Sequence, residues 1–79
     1  MSTPAAAAVA AIAAAVKAAL AEADLSEAEA ARRSGIPQST LNRRLLGGTP
    51  GFTIAELSSL ASLLGREVSD LLRQSETAA

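Results

Sequence analysis

The sequence predicts an all-α fold, a compact domain of five helices in which two short helices meet at a tight turn. Three observations carry that expectation. Apolar residues recur three and four apart, as in Val9, Ile12, Val16 and Leu20 or Leu57, Leu60, Ala61 and Leu64, while no stretch alternates with period two. Ser26 and Thr53 each stand three residues before a glutamate, Glu29 and Glu56, the pattern of a capping box at a helix start. Gly35 and Gly65 follow helical stretches at the position where a left-handed residue ends a helix.

The first helix is expected over about Ala5 to Ala23. Alanine has the highest helix propensity, Ser2 or Thr3 is available as a cap, and Pro4 suits a first turn. Its single apolar stripe has to be covered, so it should pack across the later helices. The second helix starts after Ser26 and runs to about Ser34. At that length it depends on tertiary contacts, and Ala28 and Ala31 are small enough for another helix to come close. Gly35 turns the chain, and the third helix begins at Pro37 or Gln38, because proline's fixed φ and missing N–H suit a first turn.

On the third helix Leu41 and Leu45, four apart, face inward. Ser39 and Arg43 then lie opposite them, Asn42 to one side, Thr40 and Arg44 to the other, and Gln38 projects from the N-terminal end. Gly47-Gly48-Thr49-Pro50-Gly51 makes a loop, and Phe52, the only aromatic residue, should plug it against the core. The fourth helix follows Thr53 and stops at Gly65, and a fifth starts near Ser69 with Leu71 and Leu72. Ser75 to Ala79 lacks apolar residues and is expected to fray, leaving an ordered core of about residues 5–74 in a single domain, 1–79.

Composition narrows the function. The 79 residues include no cysteine and no histidine, so disulfides, thiolate metal sites and the commonest general base are all missing. No enzyme, cofactor or metal site is expected. The net charge is −1, yet between Ala30 and Ala55 the chain carries Arg32, Arg33, Arg43 and Arg44 and no acid. Residues 5–21 are apolar, which raises membrane and export readings. Alanine is barely apolar on transfer scales, however, and the first basic residue, Lys17, falls within the stretch rather than before it. A cytoplasmic location is the expectation.

Ala31, Gly35-Ile36, Gln38-Ser39, Leu41, Asn42-Arg43 and Leu45, followed by the run Phe52 to Gly65, resemble the lambda repressor-like (XRE-type) helix-turn-helix family, which includes phage Cro proteins and repressors. The likeness extends loosely from Ser26 to Leu72. It implies a five-helix DNA-binding domain whose third helix enters the major groove of an operator. Gln38, Ser39, Asn42 and Arg43 stand at the base-facing positions. Glutamine and asparagine can pair with adenine and arginine with guanine, which gives these residues a physical reason to be there. Arg32, Arg33, Thr40, Arg44 and Thr49 are expected to hold phosphates, which supplies affinity and register.

The implied protein is a phage or prophage Cro- or repressor-like regulator that acts by occupying its operator, with double-stranded DNA as its partner. A homodimer through the fourth and fifth helices would match a two-fold operator, and a monomer remains open. The family's first helix is usually mixed polar and basic, whereas here it is alanine-rich and contributes only Lys17. That feature and the acidic surplus outside the arginine window leave a second reading, a protein-interaction adaptor or antitoxin-like module on the same fold.

Overall fold

Alanine carries the first helix, α1, from Pro4 to Glu22. In the computed structural model, which describes residues 4–77, it is followed by α2 (Glu27–Ser34), α3 (Gln38–Leu45), α4 (Ile54–Leu64) and α5 (Val68–Thr77), with no strand among the described residues. The Ser2 or Thr3 cap falls outside that range. The apolar stripe of α1 is buried at its C-terminal end, where Val16, Ala19 and Leu20 form one wall of the core. Ala30 and Ala31 of α2, Ile36 of the turn, Leu41 of α3, Leu57, Leu60 and Ala61 of α4, and Leu71 of α5 close it.

Sequence and structure part at several helix ends. α1 stops without a glycine: Asp24 takes a φ of 57°, a left-handed conformation that aspartate tolerates better than most side chains. The Leu25 N–H then bonds back to the Leu20 carbonyl at 2.9 Å. At α2 only half of the expected capping box forms. Ser26 Oγ accepts the Glu29 N–H at 3.1 Å, but the Glu29 carboxylate turns to Arg32 instead of reaching back. The box at Thr53 is complete, with 3.0 Å to the Glu56 N–H and 2.9 Å from the Thr53 N–H to Glu56 Oε1.

In α2 the small buried pair is Ala30 and Ala31, and Ala28 points to solvent. α5 starts at Val68, one residue before Ser69, and runs to Thr77 where a frayed tail was expected from Ser75. Ser75 is buried because its hydroxyl donates to the Leu72 carbonyl of its own helix, so no partner from another element is needed. Its small side chain lines a shallow groove with Ala7, Ala8 and Ala11 of α1. α1 packs chiefly on α5 in this way.

The span Ala5–Glu22 is long and apolar enough to cross a membrane, with a mean hydropathy of 1.7. Its Ala13, Ala15, Val16, Ala19 and Leu20 are nevertheless committed to the interior of the bundle. Phe52 is half-buried against the core as the loop reading requires, and so is Leu63. Leu46 and Ile54, at 75% and 70% exposure, are the large apolar side chains left on the surface of the described residues.

Candidate nucleic-acid interface

The turn between α2 and α3 is built from four consecutive residues with distinct tasks. The Gly35 N–H closes α2 by bonding the Ala31 carbonyl at 3.0 Å, and Gly35 itself lies at φ 82°, ψ 3°. Ser34 Oγ accepts the Ile36 N–H at 3.3 Å. Ile36 drops into the core, and Pro37 at φ −55° starts α3. A Cβ at Gly35 would meet nothing within 4 Å. Glycine is therefore needed for the left-handed φ alone.

Buried Leu41 anchors α3, and half-buried Leu45 leans towards a groove shared with Lys17, Leu20 and Ala21 of α1. The opposite side of α3 is open. Gln38, Ser39, Asn42 and Arg43 are all exposed, and no side chain caps the helix at Pro37. The N–H groups of its first turn are thus left for solvent or for a ligand oxygen. Gln38, Ser39 and Arg43 make no side-chain hydrogen bond to another described residue. Asn42 does: its Nδ2 donates to Glu27 Oε2 at the start of α2, at 3.3 Å, which leaves its carbonyl oxygen free to accept.

The residues expected to hold phosphates separate in space. Arg33 and Thr49 are exposed, and Thr40 is half-buried on the flank of α3. Arg32 is 72% exposed but pairs with Glu29 one turn earlier. Arg44 is placed differently from the others. Its side chain is only 11% exposed, its Nε donates to Glu56 Oε1 at 3.1 Å, and its Nη1 donates to the Pro50 carbonyl at 2.8 Å. Burial pushes the Glu56 carboxyl up, but the Thr53 N–H and the hydrogen bond and charge of Arg44 outweigh it and hold the group below its ordinary value. Arg44 thus ties α3 to α4, a pairing the sequence reading missed because its partner lies in another helix.

The acid-free window of the sequence is consequently not acid-free in space. Glu29 meets Arg32 and Glu56 meets Arg44, whereas Arg33 and Arg43 form no ion pair among the described residues. No group of acids among the described residues could hold a metal ion.

No curated protein and no solved structure matches this chain. A helix-turn-helix family model does, over residues 16–71, from the buried end of α1 to the core residue of α5. That match spans well over half of the chain and includes every core residue from Val16 onward, and it falls on a family of regulators rather than enzymes. The protein belongs to the lambda repressor-like (XRE-type) helix-turn-helix family and is a transcription regulator that binds double-stranded DNA.

Proposed function

We propose that the protein is a Cro- or repressor-like regulator of a phage or prophage that sets α3 in the major groove and represses by occupying its operator. The observation that carries this is the free face of α3, where Gln38, Ser39 and Arg43 stand exposed and uncommitted beside Asn42. Arg43 would pair with guanine O6 and N7, and Gln38 with adenine or a phosphate at the helix N-terminus. Asn42, one of whose amide hydrogens goes to Glu27, keeps its carbonyl acceptor and a second N–H, which suits adenine or a backbone phosphate. Ser39 is short enough to serve a base or a phosphate.

The phosphate set is Arg32, Arg33, Thr40 and Thr49, with Arg33 the strongest member because it forms no ion pair among the described residues. A homodimer through α4 and α5 on a near-palindromic site completes the reading, with exposed Ile54 at the start of α4 in its support. The site of action is the bacterial cytoplasm.

Selection of duplexes from a random pool, with the footprint length recorded, supplies the operator and distinguishes one half-site from two. Arg43→Ala should then lose about 1–3 kcal/mol of discrimination at one or two base pairs. Arg33→Ala should weaken all sequences alike and flatten the salt dependence by about one unit of slope. If Arg43→Ala and Gln38→Ala both kept full preference for the selected duplex, α3 would not be the reading helix.

A further inference from the structure

We propose that Arg44 and Glu56 act as a latch that positions α3, setting the angle at which Gln38, Ser39, Asn42 and Arg43 meet DNA without touching it themselves. The inference rests on the reading of α3 as the groove-facing helix, and it adds two residues that recognition needs but that stand away from the bases.

The need for a latch comes from how α3 is held. It has only eight residues, and Leu41 is its one fully buried side chain. Half-buried Leu45 packs beside it, but apolar contacts do not fix a direction, and any swivel of so short a helix carries every base-facing side chain with it. Arg44 adds a directional, polar tie near the C-terminal end. Its guanidinium joins two segments at once, the carboxylate of Glu56 in the first turn of α4 and the carbonyl of Pro50 in the intervening loop. The receiving oxygen, Glu56 Oε1, also accepts the Thr53 N–H at 2.9 Å, so the cap of α4 and the latch share an atom. Four groups from α3, the loop and α4 are thereby tied together across a stretch of chain with no regular structure of its own.

A direct phosphate contact by Arg44 is disfavoured by the same geometry. With 11% of its side chain exposed and 18% of that of Glu56, releasing the guanidinium would leave a half-buried carboxylate with the Thr53 N–H but without its counter-charge. The pair is also neutral, so it adds little to the electrostatic attraction of DNA. Arginine suits the role because its planar fork bonds in two directions, which lysine cannot reproduce.

The test uses a duplex selected from a random pool by the wild-type chain and a random-sequence duplex of equal length. Both are titrated at several salt concentrations with Arg44→Met, Glu56→Gln and the double variant, each checked by circular dichroism to be folded at the assay temperature. Each single variant should lower the preference for the selected duplex about tenfold, and the double variant should be no worse than either, as for coupled partners. The salt slope should stay as in wild type. Glu56→Gln is the sharpest arm, because removing an acid should strengthen binding on charge alone, whereas a broken latch weakens it for the selected duplex.

Arg44→Lys keeps the charge and replaces Arg44→Met if that variant is unfolded; it should lose preference with an unchanged slope. Two results in these variants would overturn the latch directly, and two comparisons with wild type would do so as well. One is an Arg44→Met slope flatter by about one unit with both duplexes weakened alike, the mark of a phosphate contact. The other is a Glu56→Gln variant that binds both duplexes as well as or better than wild type. A wild-type chain that selects no sequence sinks the latch and the underlying reading together. A wild-type preference lost in Arg43→Ala but kept in Arg44→Met sinks the latch alone.

Discussion

Replacing Gly35 by alanine isolates what the turn between α2 and α3 demands of its sequence. The residue sits at φ 82°, where a Cβ costs about 1–2 kcal/mol through its own backbone. No steric contribution adds to this, because a Cβ built at Gly35 finds no atom within 4 Å. The unfolded chain loses freedom when alanine replaces glycine, which offsets about 0.4–1 kcal/mol. The net loss should therefore be about 1 kcal/mol, or about 4–8 °C in thermal midpoint for a domain of this size. Asparagine tolerates the left-handed region better, so Gly35→Asn should cost less than Gly35→Ala. Thermal melts followed by circular dichroism measure both. Titration of a selected duplex well below the midpoint should find recognition intact, since the Ala31 and Ile36 contacts that fix the helices survive. A loss above about 3 kcal/mol, an asparagine variant as weak as the alanine one, or a folded Gly35→Ala that no longer prefers its duplex would each refute the backbone explanation.

Gly51 presents the opposite case, for a Cβ there would come within 2.9 Å of Val9 Cγ1 and 3.2 Å of Cγ2 on α1. Valine in a helix has essentially one rotamer, so Gly51→Ala should cost about 1–3 kcal/mol, and a second substitution, Val9→Ala, should recover part of it. Strictly additive losses in that double-mutant cycle would show that the contact is not the cause. Acid should act through Glu56, whose carboxyl is held below its ordinary value in the folded chain. A depressed carboxyl contributes stability above its unfolded pKa, about 4.3, and loses it as pH falls through the folded one. Melting temperatures of wild type and Glu56→Gln should accordingly differ at pH 7 and converge in acid. A gap that held constant down to the acid limit would remove Glu56 from the account.

The features legible along the chain are those that depend on near neighbours. The Thr53 cap, the Gly35 and Gly65 stops, the leucine spacing of α4 and the inward Leu41 are all decided within a few residues, and they stand in the structure. The departures come where a local cue is weak or a distant partner decides. Asp24 ends α1 in a conformation that glycine more often supplies, and Ser75 continues α5 without an apolar signal. Glu29 abandons its capping role for Arg32, a choice no three-residue pattern contains. Arg43 and Arg44 are adjacent and identical in type, yet one lies open on α3 and the other is half-buried against Glu56; a helical wheel separates their directions but not their partners.

That last contrast bears on how an acidic chain serves a DNA-binding fold. The four arginines between Ala30 and Ala55 look like an electrostatic footprint in the sequence, but Glu29 and Glu56 answer two of them, and Arg33 and Arg43 remain unanswered. Counterion release scales with the phosphates that cations neutralise, so a domain with few free cations gains little affinity for arbitrary sequence. Its binding then depends more heavily on directed contacts to base edges, which carry discrimination rather than bulk attraction. Such contacts contribute their full energy only when the donors and acceptors are held in register. On the proposed reading, a chain that uses Arg44 to fix α3, instead of to hold another phosphate, gives up non-specific affinity for that register.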